Sequence, residues 1–192
     1  MGLAVLAPLY VEALALRRGL SEARVIRTGA GPRRSQSAAF QLTGSPDSAL
    51  AVAGLCGGVD PGLQPGDVIV ASELQGGRGT RKLADPEALV DAIRALGTTA
   101  KLGPIRSEGH IARGAERERL RENGAIAVDM ESRWLAEAAG ERPFAVLRVV
   151  IDTPHRELLR LATIPNGIRA LATLRRIAPA LEAWSQATTQ RR

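Results

Sequence analysis

Short runs of apolar residues alternate along the chain with segments in which apolar residues recur every three or four positions. Runs of the first kind are typical of buried strands, and spacing of the second kind is typical of amphipathic helices. Strands are predicted at residues 3–7, 23–28, 49–55, 68–72, 101–111, 125–129 and 144–151. The alternation of strands with helices predicts an α/β protein in which helices cover both faces of a central sheet.

Helices are predicted at residues 11–18, 35–42, 86–96, 115–123 and 131–139, and in a terminal stretch from about Pro165. Pro86 suits a first helical turn, and Gly97 suits the position just past a helix end. The terminal stretch has apolar residues on one face and arginines mostly off that face. Such a helix usually packs on a core, although a basic amphipathic helix is also compatible with a transient membrane contact.

The length and composition favour a single domain over residues 1–192. A chain of this size with 45% apolar residues can bury about two thirds to three quarters of its unfolded surface. No low-complexity linker and no internal repeat divides the sequence. Cys56 is the only cysteine, so an intrachain disulfide is impossible and no cysteine cluster is present to bind a metal. We therefore expect a cytoplasmic protein without a metal site.

The formal net charge of +6 and the sequence pI near 10.8 favour anionic partners, such as phosphate esters, nucleic acid or an acidic membrane surface. The basic residues are scattered, and aromatic residues make up only 3% of the chain, too few for an obvious base-stacking platform. We therefore expect no nucleic-acid partner. The alternative, a basic nucleic-acid-binding protein, would have an affinity that falls steeply with salt.

Two glycine-rich segments have different meanings. Gly29-Ala30-Gly31 is followed three positions later by Arg34 rather than glycine, and no Gly-Lys-Ser/Thr sequence occurs, so we expect neither a dinucleotide cofactor nor a nucleoside triphosphate. Residues 54–58 come at the end of a predicted strand, where glycines such as Gly57 let backbone amides approach a ligand. The alternative for this second segment is a tight connection between strands.

An acidic segment follows the strand predicted to end at Asp129. Asp129 suits a helix N-cap, because its carboxylate can accept hydrogen bonds from amides two or three residues on. Glu131 then lies in the first turn, where the helix dipole stabilises a negative charge by about 0.3 to 1 kcal/mol. An ionised Glu131 is a good acceptor for the two hydroxyls of a ribose, and Met130 could pack on the sugar.

Asp152 ends another predicted strand and should project from the same edge of the sheet. Breaking a base–sugar bond develops positive charge on the sugar and negative charge on the departing base. Such a reaction needs an acid facing the base and an anion near the sugar, and Asp152 and Glu131 could divide these roles. The pair predicts cleavage of the bond between a base and its sugar. The alternative for Asp152 is a helix cap or an Asp-Thr-Pro turn.

The order and spacing of five segments resemble the purine nucleoside phosphorylase and methylthioadenosine nucleosidase superfamily. They are residues 3–13 with the acidic Glu12, residues 28–31, the glycine-rich residues 54–67, residues 128–132 and residues 147–152. The resemblance covers nearly the whole chain. It implies a nucleoside phosphorylase-like three-layer sandwich with a central mixed sheet, a homo-oligomer, and a nucleoside as substrate.

The resemblance also implies roles for particular residues. In the nucleosidase branch, the residue at the place of Glu12 helps to activate a water molecule, and those at Met130 and Glu131 hold the ribose. Asp152 is at the place of the catalytic Asp that protonates the base. The family's base-stacking aromatic residue falls near His110, and the alternative for this histidine is a purely structural role.

The resemblance also bears on whether the reaction uses phosphate or water. Leu55 stands where phosphorylases usually have a Ser or Thr that contacts phosphate, which argues against ordinary phosphorolysis. Gly31, Arg33 and Arg34 could bind inorganic phosphate in another way, and a solvated helix start is the alternative. Both phosphorolysis and hydrolysis therefore remain open.

The compact chain and residues 152–158 look more like the hopanoid-associated phosphorylases. Members of that group are linked to the release of adenine from adenosylhopane, a nucleoside with a large lipid at its 5′ position. This implies a lipid-linked adenine nucleoside as substrate. The competing interpretation is a non-catalytic nucleoside- or lipid-binding sensor on the same fold, which would bind a nucleoside without releasing its base.

Overall fold

A computed structural model describes residues 2–77, 79–153 and 163–190. The described residues form an eight-stranded sheet with helices packed on it. The strands are β1 (Leu3–Ala7), β2 (Arg24–Arg27), β3 (Ala49–Gly58), β4 (Val68–Gln75), β5 (Arg81–Lys82), β6 (Ala100–Ser107), β7 (Ala127–Asp129) and β8 (Phe144–Asp152). The helices are α1 (Tyr10–Gly19), α2 (Pro32–Leu42), α3 (Pro86–Ala95), α4 (Ala115–Glu122), α5 (Ser132–Leu135), α6 (Thr163–Ile177) and α7 (Pro179–Gln190), with a 3₁₀ turn at Ala136–Ala139.

The sheet is mixed, as predicted. Strand β3 pairs in parallel with β1 and β8 and antiparallel with β7. Strand β8 also pairs antiparallel with β4, which pairs in parallel with β6, and β6 pairs in parallel with β7. The strands β3, β8, β4, β6 and β7 therefore close into a ring of hydrogen-bonded neighbours, and β1 and β2 extend the sheet from β3.

Apolar side chains fill a core on each face of the sheet. Neighbouring side chains of a strand point to opposite faces, so β1 contributes Val5 to one core and Leu6 to the other. The first core also contains Leu16 of α1 and Trp184 of α7, and the second contains Leu42 of α2. This arrangement confirms the predicted helix, sheet and helix layers. Among the described residues, none of the helices is long and apolar enough to cross a membrane.

Strand β3 is longer than predicted, because it continues from Leu55 through the glycine-rich segment to Gly58. Gly57 pairs with Val128 of β7 on one side and with Asp152 of β8 on the other. Pairing on both sides satisfies the backbone groups of these glycines and keeps them extended. The predicted end of this strand at residue 55 was therefore three residues too early.

The structure corrects two predicted elements near the acidic segment. Strand β6 ends at Ser107 rather than at residue 111, because its partner strand β7 ends at Asp129, the residue paired with Ser107. The predicted helix 131–139 is a single α-helical turn followed by a 3₁₀ turn, and Gly140 ends it with a φ of 55°.

The remaining differences are smaller. Strand β2 covers residues 24–27 of the predicted 23–28, and the two-residue β5 has no counterpart in the prediction. The predicted terminal helix is two helices. The helix is interrupted between Ile177 and Pro179. Proline lacks the amide hydrogen that a continuing helix would need, and it favours the first turn of a new helix.

Candidate active site

A cavity of about 300 Å³ opens where β3, β7 and β8 end. Its size is at the lower end of the range for small-molecule sites, about 300–1,000 Å³. The cavity brings together seven residues that the sequence singled out: Glu12, Gly57, His110, Asp129, Met130, Glu131 and Asp152. Its lining also includes Leu9, Ala30, Leu55, Ile111 and Arg117.

Asp129 is buried and holds the turn that follows β7. Its Oδ1 accepts hydrogen bonds from the Ser107 hydroxyl at 2.5 Å, the Ser132 amide at 3.2 Å and the Glu131 amide at 3.3 Å. Its Oδ2 lies 2.6 Å from Nη2 of Arg148. The carboxylate accepts the amides expected of a cap, but the N-cap of α5 is Glu131 rather than Asp129, because the helix begins at Ser132. The ion pair with Arg148 ties Asp129 to the interior as well.

Glu131 lies between a backbone amide and the same arginine. Its Oε1 accepts a hydrogen bond from the Gly31 amide at 3.0 Å, and its Oε2 is 3.6 Å from Nη2 of Arg148. Burial and the nearby Asp129 charge raise the pKa of Glu131 above its ordinary value, although Arg148 and the Gly31 amide oppose the rise. This direction is opposite to the helix-dipole effect expected from the sequence, and the following helix is only one turn long.

Glu12 is 2% exposed and accepts two backbone hydrogen bonds. The Leu55 amide donates to Oε1 and the Leu9 amide to Oε2, both at 2.7 Å. Burial raises the pKa of Glu12 above its ordinary value, while Arg148 and the two amides oppose the rise. A carboxylate with a raised pKa, fixed in one orientation against a cavity, has the properties of a general base.

Arg148 connects these acidic groups, and the sequence reasoning did not select it. It is fully buried in β8 and donates to the Ser132 hydroxyl at 2.9 Å and the Leu55 carbonyl at 3.3 Å. Burial disfavours its charge, but Asp129, Glu131 and Glu12 together raise the pKa of Arg148. The available sequence signal was a single charged residue inside the apolar run 144–151.

Gly54 makes room for this cluster of charges. A Cβ at Gly54 would lie 2.5 Å from Oε1 of Glu12 and 2.9 Å from Nη1 of Arg148. Such distances are too short for a side chain of any size. Glu12 and Arg148 therefore both lie directly against the backbone of β3.

Asp152 is 2% exposed and belongs to a second cluster further along β3. Its Oδ2 accepts a hydrogen bond from Nη2 of Arg117, a residue that the sequence reasoning also missed. Arg117 is 2% exposed and extends from α4, where the neighbouring Arg119 and Arg121 are exposed. The available signal was that Arg117 shares a helical face with Leu120, three residues on, which is buried.

His110 and Met130 line the cavity less deeply. The His110 side chain is 64% exposed, and its Nε2 lies 2.9 Å from Oε1 of Glu116. Met130 is partly buried between the two acidic residues that flank it. Both residues are thus at the cavity, as a substrate contact requires.

The residues suggested for phosphate lie outside this cavity. The Gly31 amide donates to Glu131, and Arg33 and Arg34 are exposed at the start of α2. Arg34 instead lines a neighbouring cleft of about 530 Å³ together with Arg27. The cleft shares Pro8, Leu9 and Ala30 with the first cavity, so the two spaces adjoin.

The two clusters of charges are separated along one strand. Glu12 and Arg148 lie against Gly54, whereas Arg117 and Asp152 lie near Gly57. Three residues of an extended strand span about 10 Å. A ligand of nucleoside size in this cavity can therefore contact carboxylates of both clusters at once.

Comparisons with known proteins identify the family and the fold of this chain. A family profile described as the phosphorylase superfamily matches residues 16–181. No curated protein matches the chain by sequence. Among solved structures, a mutant 5′-methylthioadenosine nucleosidase of Helicobacter pylori with 5′-methylthioadenosine in its active site is 14% identical, with a TM-score of 0.82 over 94% of this chain and 97% of that one.

Two further structures have the same fold. The S-adenosylhomocysteine nucleosidase of Streptococcus pyogenes, in complex with 5-methylthiotubericidin, is 18% identical with a TM-score of 0.78, and 97% of each chain is covered. The futalosine hydrolase of Helicobacter pylori is 14% identical with a TM-score of 0.82 over 94% of this chain and 97% of that one. At these identities, the similarity establishes the fold.

Proposed function

Because the chain belongs to the phosphorylase superfamily, we propose that it cleaves the N-glycosidic bond of a purine nucleoside and that the base is adenine. The observation that carries the proposal is the set of three buried carboxylates, Glu12, Glu131 and Asp152, around one cavity. The choice of adenine is supported by the similar Helicobacter pylori nucleosidase, whose active site holds 5′-methylthioadenosine.

The proposed roles follow from where each carboxylate lies. Glu131 accepts hydrogen bonds from the ribose hydroxyls, and Met130 packs on the sugar beside it. Asp152, in the other cluster, donates a proton to a nitrogen of the base as the bond breaks. The electron pair of the C–N bond leaves with the base, and the anionic groups near the sugar stabilise the positive charge that develops there.

Glu12 is the proposed base that activates the attacking water. It takes a proton from the water, whose oxygen forms the new bond to the sugar carbon. Its raised pKa brings the carboxylate closer to the neutral range in which a general base works best. Glu12, Asp129 and Glu131 would also repel a phosphate ion from this part of the cavity, which favours hydrolysis.

Phosphorolysis is the second candidate, and one observation favours it. Arg27 and Arg34 line the adjoining cleft, so inorganic phosphate could approach the sugar from that side. In this reaction the phosphate oxygen would take the place of the water oxygen. The two candidates differ in their sugar product, which is the free sugar after hydrolysis and the sugar 1-phosphate after phosphorolysis.

The experiment that tests the proposal is an assay for free adenine. The protein is incubated with adenosine, methylthioadenosine and a lipid-linked adenosine, each with and without phosphate, and the sugar product is identified. Release without phosphate supports hydrolysis, and release that requires phosphate supports phosphorolysis. Binding of a nucleoside without release of adenine would instead support the non-catalytic sensor.

The 5′ substituent and the assembly stay predictions from the resemblance, and the membrane contact stays a prediction from the basic amphipathic terminal segment. Leu9, Tyr10 and Val11 are between 42% and 60% exposed at the start of α1, next to the cavity. Exposed apolar side chains there are compatible with an adenosylhopane-like lipid at the 5′ position and with a contact in a homo-oligomer. Preferential cleavage of the lipid-linked substrate in the same assay would support the lipid.

A further inference from the structure

Helix α4 carries three arginines, and only one of them is buried. Arg119 and Arg121 are exposed, whereas Arg117 is 2% exposed. Removing a guanidinium group from water is unfavourable unless its donors find partners. The burial of Arg117 therefore requires specific contacts inside the protein.

Arg117 makes contacts with three separate parts of the chain. Its Nε donates to the Ala112 carbonyl at 2.9 Å, and its Nη1 donates to the Gly58 carbonyl at 3.2 Å. Its Nη2 donates to Oδ2 of Asp152. The planar guanidinium thus joins the loop after β6, the end of β3 and the end of β8 in one fixed orientation.

Gly57 of β3 leaves space for the ion pair between Arg117 and Asp152. A Cβ at Gly57 would lie 2.9 Å from Nη2 of Arg117 and 3.1 Å from Oδ1 of Asp152. Gly57 is extended and paired on both sides, so it has no conformational need to be glycine. Its missing side chain instead admits the arginine and the carboxylate together.

We propose that Arg117 is the positioning residue for Asp152: it fixes the carboxylate at the cavity and holds it in the ionised form in the free protein. This inference rests on the proposed function, in which Asp152 must carry a proton before it can donate one to the base. Arg117 then sets how far the pH must fall for Asp152 to take up that proton. The reaction should therefore become faster as the pH is lowered, until Glu12 loses its ability to act as a base.

Other ionisable groups around the same cavity also influence whether Asp152 carries a proton. Glu12, Asp129 and Glu131 are acidic, Cys56 is buried in β3, and His110 pairs with Glu116 at the exposed side. The acidic groups favour a proton on Asp152, so the positive charge of Arg117 acts against them. Removal of Arg117 should therefore make it easier for Asp152 to bind a proton.

The test compares Arg117→Met with Arg119→Met, a matched change at an exposed arginine of the same helix. We expect Arg117→Met to lower kcat by about 10- to 100-fold, because the carboxylate is no longer oriented. KM should change less than kcat. The alkaline limb of the profile of kcat against pH should move up by about one pH unit or more, because the carboxyl group keeps its proton more easily without the cation. Arg119→Met should leave all three quantities unchanged.

Further variants separate positioning from loss of folding. Arg117→Lys retains the positive charge but not the fork of donors, so it should keep the wild-type pH profile with a reduced kcat. Added guanidinium ion should restore part of the activity of Arg117→Ala. Gly57→Ala should displace the pair and lower kcat while the charge is retained. Thermal melting checks that each variant is folded.

The outcomes distinguish this inference from the proposed function. A wild-type protein that releases no base from any nucleoside contradicts the proposed function. A wild-type protein that releases the base, together with a folded Arg117→Met variant that has unchanged kcat and an unchanged pH profile, overturns the role of Arg117. A loss of activity in Arg117→Met without a shift in its pH profile would reduce Arg117 to a structural residue and also overturn the proposed role.

Discussion

At the scale of single residues, two buried arginines organise the acidic groups of the cavity. Arg148 joins Asp129 and Glu131, and Arg117 holds Asp152. A carboxylate that is removed from water needs such a partner if it is to stay ionised. The chemistry proposed for the carboxylates therefore depends on the buried side chains of Arg117 and Arg148.

The first prediction concerns Asp152. We expect Asp152→Asn to lower the rate of adenine release by about 10²- to 10⁴-fold, because the amide keeps the size of the side chain but cannot act as the acid. The assay is the release of free adenine, with circular dichroism as the control for folding. Turnover near the wild-type rate would remove Asp152 from the mechanism.

The second prediction concerns Arg148. Arg148→Met should lower the free energy of unfolding by about 3–5 kcal/mol, because it leaves buried carboxylates without their cation. Urea unfolding measures the change, and Arg176→Met, at an exposed arginine of α6, is the matched control. Equal stability of the two variants would mean that the acidic cluster tolerates the loss of its positive charge.

The third prediction concerns pH. Burial raises the pKa of Glu12 and of Glu131 above the ordinary value of 4.5, so the folded protein binds these protons more tightly than the unfolded chain. Their contribution to the free energy of unfolding is therefore present at low pH and is lost as the pH rises through the raised pKa values. Glu131→Gln should flatten this decline, which sets in as the pH rises above the ordinary value of 4.5. Glu118→Gln, at an exposed position, should leave it as in the wild type.

At the scale of elements, strand β3 shows what the sequence could and could not predict. Apolar periodicity identified residues 49–55 correctly, because burial on both faces leaves a run of apolar residues. It could not extend the strand through Gly57, since the pairing of these glycines with β7 and β8 depends on strands that lie about 70 and 95 residues further along. The helix predicted at 131–139 was nearly right in its bounds but not in its type, because residues 132–135 form one α-helical turn and residues 136–139 form a 3₁₀ turn.

A fourth prediction tests the packing against β3. Gly54→Ala should lower the free energy of unfolding by about 1–3 kcal/mol, because its methyl group would overlap Glu12 and Arg148, which are both held by other contacts. Gly167→Ala in α6 is the control, since a Cβ there meets nothing within 4 Å and alanine favours a helix. If both variants are as stable as the wild type, the cluster must be able to move away from the strand.

At the scale of the whole molecule, residues far apart in sequence meet at one cavity. The carboxyl ends of the two strands before Glu131 and Asp152 were expected to lie at one edge of the sheet. Both residues do line one cavity, but β7 runs antiparallel to β3 and β8 runs parallel to it, so the closed ring of strands brings them together rather than a shared parallel edge. Neither arginine partner was predicted. Burial of an arginine depends on which helix face and which strand face turn inward, and that is fixed only when the whole sheet is assembled.

The closed ring of strands also has a consequence for how the chain folds. Strand β8 fills the position between β3 and β4, so the ring has two open edges until residues 144–152 are available. Unpaired edges are sites at which other chains can add. As synthesis proceeds from the N-terminus, most of the protein is made before these edges can be covered. The risk of aggregation should therefore be greatest just before the last strand is inserted.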